Sequence, residues 1–190
     1  MLVAAFSEAE QTEEIMKEIL IVSHCILNNA SKVLQDESEL ADEYRQRDGL
    51  IKAALSKGVQ IFQLPCPEFI IYGPKRWGHV KDQFDNSFFR GECRRMLTPV
   101  MEQLKEYAGV PERFRIIGIV SVEGSPSCGR SLTCRADWGG ELCLWDTGST
   151  DKEVRMTEEA GVFMEEIMEM LAVYGLDIPV MTISEATAAI

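Results

Sequence analysis

The chain has 190 residues, 46% of them hydrophobic, and a net charge of -12 from 19 Lys and Arg against 31 Asp and Glu, which fits one domain with a sizeable core. That charge repels a polyanion at long range and no local basic patch offsets it, so a small molecule rather than a nucleic acid is the expected partner. No apolar stretch reaches bilayer length, and the opening MLVAAFSEAEQTEE is too acidic and too short in its apolar part for a signal peptide, so a cytoplasmic location without membrane association is expected.

In chain order, residues 1–17 read as an N-terminal extension, with a short acidic helix over Met1 to Met16, ahead of a single domain over 18–190. EILIVS (Glu18–Ser23), VQIFQL (Val59–Leu64), FRIIGIVS (Phe114–Ser121) and DIPVMTIS (Asp177–Ser184) are short apolar runs without clean alternation. They predict strands covered on both faces, as in a parallel sheet. Leu50, Ile51, Ala54 and Leu55 form a helical stripe that stops at SKG, with Gly58 placed as a left-handed cap. Phe89, Cys93, Leu97, Val100, Leu104 and Tyr107 predict a second helix, which Pro99 is expected to kink or to split in two. Met156, Ala160, Phe163, Ile167, Met170, Leu171 and Tyr174 predict a third, with acidic residues on its other face and Gly175 behind it.

Strands alternating with helices define an α/β fold: one Rossmann-like or flavodoxin-like domain, a mostly parallel sheet of about four strands, and helices on both faces. Two segments are expected to be long and irregular, Pro65–Asn86 and Glu123–Thr150, the latter with a possible edge hairpin at ELCLWD. Loops of that length inside a compact domain point to function.

The six cysteines are too widely spaced for a stapled scaffold, which leaves core residues, reactive thiols or metal ligands. Cys25, Cys66 and Cys128 each follow a predicted strand. Parallel strands bring such positions to one carboxyl edge, where open α/β sheets bind ligands. Cys93 lies on an apolar helix stripe and reads as core, while His24 and His79 offer nitrogen only incidentally. No C-x-x-C, phosphate-loop or G-x-G-x-x-G motif is present. Three converging thiolates suit a four-iron cluster with one iron left open, a Lewis-acid site. Two alternatives stand beside this: a non-enzymatic iron-sulfur redox or oxygen sensor or electron carrier, and a structural zinc site using Cys66, Cys128, Cys134 and Cys143.

ILIVSHCILN, LPCPEF, GPKRWG, EGSPSCGR and GLDIPVMTISE occur in that order, and together they resemble the thiouracil desulfidase family over about Glu18 to Glu185. The resemblance implies a [4Fe-4S] cluster held by Cys25, Cys66 and Cys128, with Glu68 of C-P-E as the proton carrier. It also implies substrate-binding roles for Ser125, Ser127 and Arg76. Lys32 stands roughly where that family usually has an arginine, within NNASKVLQDE. The implied reaction is non-redox: sulfur leaves a thiocarbonyl compound such as a thio-base as sulfide, with its sulfur on the open iron. Bottom-up, the serines flanking Pro126 are also placed to bond their own turn, and the apolar neighbours Phe69, Ile70 and Ile71 are expected to bury Glu68 in part.

Overall fold

The computed structural model describes residues 16–140 and 153–190. The expected N-terminal helix, the ELCLWD hairpin and Cys143 lie outside the described residues. Among those described, no helix is long and apolar enough to cross a membrane.

A four-stranded parallel sheet has the order β2-β1-β3-β6, built from β1 (Lys17–Val22), β2 (Gln60–Gln63), β3 (Phe114–Val120) and β6 (Val180–Met181). Ile19, Leu20, Ile21 and Val22 are all buried although successive side chains point to opposite faces, so both faces are covered. The covering helices pack in two pairs: α2 (Glu37–Ser56) with α7 (Ile183–Ala189), and α5 (Ser87–Ala108) with α6 (Val162–Tyr174). This is the α/β architecture the sequence predicts. The chain enters the sheet at β1, runs to β2 on one side and returns to β3 on the other. The gap beyond the carboxyl ends of β1 and β3 is therefore the topological switch point, where such folds leave a crevice.

Local chemistry moves several boundaries. α5 passes unbroken through Pro99. The missing N–H costs the helix one bond, but Met96, Leu97, Val100 and Met101 are buried on both sides of it and hold the axis together. The fourth strand is only two residues long, because Thr182 accepts from the Glu185 backbone while the Glu185 carboxylate accepts from the Thr182 N–H, a capping box that starts α7. Leu55 lies on the exposed side of α2. Within Pro65–Asn86 two short helices form, α3 (Pro67–Tyr72) and α4 (Lys81–Phe84). From the second long loop, β4 (Thr133–Arg135) pairs antiparallel with β5 (Arg155–Thr157) as a separate ribbon.

The third predicted helix begins six residues late. Met156 belongs to β5 opposite Cys134, and Ala160 precedes α6. One of its acidic residues, Glu166, is fully buried and pairs with Arg90 at 2.8 Å and Arg94 at 2.6 Å on α5. Buried Lys81 joins this system through Glu165 and Glu159, at 2.6 and 2.8 Å. Arg135, and then Lys81, hold the Glu159 carboxyl down at about 2.

The start of α6 has no side-chain cap. Its free N–H groups donate instead to carbonyls of the loop after β3: Gly161 to Gly129 at 2.8 Å, Val162 to Pro126 at 3.0 Å and Met164 to Ser127 at 3.0 Å. Helix and loop are so close that a Cβ on Gly161 would stand 2.6 Å from the Ser127 carbonyl. Gly161→Ala must therefore displace the backbone on either side of Ser127. It is expected to lower stability by about 1–3 kcal/mol in denaturant unfolding, as overpacking does, whereas Gly91→Ala, with open space around its Cβ, should not destabilise.

Candidate active site

The loop after β3 is built by its own side chains. The Ser125 hydroxyl oxygen accepts from the N–H groups of Ser127 at 3.3 Å and Cys128 at 3.1 Å, and the Ser125 carbonyl accepts from Gly129 N–H at 3.2 Å and Thr133 Oγ1 at 3.0 Å. The Cys128 carbonyl accepts from Val122 N–H at 2.9 Å. Glu123 takes four bonds, from the Ser121 and Ser131 hydroxyls and the Arg130 and Ser131 N–H groups, and these hold its carboxyl below the usual range against the opposing effect of burial. With α6 gripping three of its carbonyls, this loop holds Cys128 at a fixed point on the sheet edge.

The other two strand ends are fixed as firmly. After β1, Ser23 bonds the Val120 carbonyl through both its N–H (3.2 Å) and its hydroxyl (2.8 Å), tying that end to β3, and Cys25 follows in the single turn α1 (His24–Leu27). Gln63 Nε2 donates to the His24 carbonyl at 2.8 Å, and His24 Nδ1 lies 3.1 Å from the Leu64 carbonyl. After β2, Cys66 is the N-cap of α3, its sulfur accepting from Phe69 N–H at 3.4 Å with Pro67 in the first turn. Glu68 follows in that same turn, where a helix favours an acid.

All three thiols line one cavity of about 440 Å³, together with Lys32, Glu68, Arg76, Ser125 and Ser127. The cavity thus brings together the three cysteines, Glu68 and the four expected substrate-binding residues. Ser127 Oγ donates to Glu68 Oε1 and stands 3.5 Å from the Cys128 sulfur. Arg76, only 3% exposed, donates to Glu68 Oε2 at 3.3 Å and to the carbonyls of Ser31 at 2.7 Å and Gly73 at 3.5 Å. Each of its three nitrogens thus has an acceptor within the protein, and through Nε it orients Glu68. Lys32 pairs with Glu43 of α2. Glu68 is enclosed by Arg76 and Ser127 rather than by Ile70, which is exposed.

Cys134, His79, Glu43 and Arg47 also line the cavity. The His79 ring is packed between Tyr72 (4.8 Å) and Phe84 (4.9 Å), and burial lowers its pKa. Glu43 and Arg47 stand four apart on α2, which reads in sequence as an ordinary surface pair. Only the fold of the helix over the β1 loop reveals their place.

Burial pushes all three thiols up. Cys66 rises to about 11 and Cys128 well above its ordinary value, while burial outweighs Arg47 and Lys32 at Cys25. Burial disfavours the charged thiolate at each position where no partner compensates it. A metal centre is what keeps buried sulfur in the thiolate form. Among the described residues no group of three or more His, Cys, Asp or Glu side chains is placed to hold a metal ion. Cys25, Cys66 and Cys128 line the same cavity wall. Cysteine sulfur is the donor type that iron-sulfur clusters take, so the chemistry of these three side chains fits such a group.

Fold and site together define an α/β protein with a thiol-lined pocket at the switch point of a parallel sheet. Over 112 residues the chain is 36% identical to a protein of Methanocaldococcus jannaschii named Uncharacterized protein MJ0003, an alignment covering 59% of this chain and 67% of that protein. The chain belongs to the family of that archaeal protein. No family model and no solved structure matches it.

Proposed function

We propose that the chain is an iron-sulfur-dependent, non-redox desulfidase that removes sulfur as sulfide from a small thiocarbonyl compound of the thiouracil type. The observation that carries this reading is the meeting of Cys25, Cys66 and Cys128 with Glu68 and Ser127 in one cavity. Its volume of about 440 Å³ is suited to a small molecule. The motif resemblance to thiouracil desulfidases supports the same assignment.

Cys25, Cys66 and Cys128 would hold a [4Fe-4S] cluster. The chemistry it supplies when bound is an open, thiophilic iron that acts as a Lewis acid on a C=S group. The rest belongs to the protein. Glu68 takes a proton from the water that adds to the thiocarbonyl carbon and gives it to the departing sulfur, and the proton left on the added oxygen follows by the same route as the C=O bond forms. Ser127 on one carboxylate oxygen and Arg76 on the other fix its direction. Oxygen replaces sulfur, one water is consumed and hydrogen sulfide leaves, with no electrons gained or lost. The lining residues Val33, Leu40, Val154 and Met156 add apolar wall that suits an uncharged ring and limits water.

The test is to supply thiouracils, thioureas and aromatic thioamides to anaerobically reconstituted protein and to measure sulfide and oxo product together. Equimolar release from at least one class is expected. Full cluster loading without sulfide from any of them would overturn the enzymatic reading.

A further inference from the structure

Arg47 is a cation of the pocket wall whose bonding is incomplete among the described residues. It is fully buried. Nη1 donates to the Cys25 carbonyl at 2.9 Å and, longer, to Asn29 Oδ1 at 3.4 Å; Nη2 pairs with Glu43. The Nε–H has no partner among the described residues. Glu43 also serves Lys32, so one carboxylate faces two cations. The other pocket carboxylates are engaged elsewhere, Glu68 with Arg76 and Ser127, Glu123 within its own loop. A positive charge and an N–H donor thus remain uncompensated beside Cys25. Both are costly when buried.

Three thiolates outweigh the core charge of an oxidised four-iron cluster, so the assembled centre is an anion. We infer that Arg47 is its counter-charge, a positioning residue that fixes the Cys25 main chain and offsets the negative charge of the centre. This rests on the iron-sulfur reading above.

The experiment compares wild type, Arg47→Met, Arg47→Lys and Glu43→Gln as full chains, after circular dichroism has established that each folds. Two quantities are read: the rate of iron loss to a chelator and the midpoint potential of the cluster. Arg47→Met should lose iron about 10–100-fold faster, the size of effect typical of outer-shell partners, and its potential should become more negative, because a positive charge that favours reduction is gone. Arg47→Lys should keep the potential and lose iron faster than wild type. Glu43→Gln adds net positive charge and should move the potential the opposite way. A merely structural Arg47 would change iron retention without these opposed shifts. The inference is overturned if folded Arg47→Met matches wild type in both readouts, or if Glu43→Gln leaves the potential unmoved. A loaded wild type with such variants sinks this inference alone, whereas a wild type that takes up no iron sinks the cofactor reading with it.

Discussion

Serine in place of Cys25, Cys66 or Cys128 should abolish the stable iron and acid-labile sulfide of the protein, while Cys93→Ala keeps both. Each of the three thiols stands at a different strand end that is fixed by backbone bonds, so no neighbouring thiol can swing into a vacated place without breaking them. Serine oxygen is a poor substitute for a soft thiolate toward iron. Cys93 is fully buried, but it lies within the α5 core and does not line the cavity. The contrast therefore separates ligation from the general effect of losing a buried sulfur. Iron and sulfide assays on the four variants, each shown to be folded, read it directly. A variant at position 25, 66 or 128 with wild-type iron would remove that residue from the ligand set.

Glu68→Gln should leave the iron content unchanged and reduce desulfuration by about 10²–10⁴-fold, the range associated with a positioned proton carrier. Glutamine has nearly the same shape and its amide oxygen can still accept from Ser127, so the geometry of the loop survives. What it cannot do is take a proton from water and give it to sulfur. Sulfide release under substrate saturation is the measurement. Undiminished turnover in a fully loaded variant would take Glu68 out of the mechanism.

The part of this protein that was legible in its sequence is the part governed by local patterns. Short apolar runs without clean alternation marked β1, β2 and β3, and parallel topology then carried Cys25, Cys66 and Cys128 to one edge, where the structure has them lining one cavity. The end of α2 at Gly58 (φ +77°) and of α6 at Gly175 (φ +67°) followed from glycine alone. Competing signals hid the rest. The β-branched run around Val180 outweighed the Thr182 to Glu185 capping box, although that box was readable. At the start of α6, Met156 and Ala160 fall in helical phase by coincidence, and the true start is set by loop carbonyls more than thirty residues earlier in the chain. β4 and β5 are three residues each and find one another only across a long insertion. Arg76 stood out only as part of GPKRWG, and its guanidinium is a buried tie between Glu68 and the Ser31 carbonyl. Nothing in its local sequence specifies that partner.

The central claim is that this pocket holds an iron-sulfur cluster. The most direct test is the iron and acid-labile sulfide content of the wild-type chain purified without oxygen, read together with its visible absorption spectrum. About four irons and four sulfides per chain, with broad sulfide-to-iron absorption, is the predicted result. A chain that remains free of iron after anaerobic reconstitution with iron and sulfide would contradict the account.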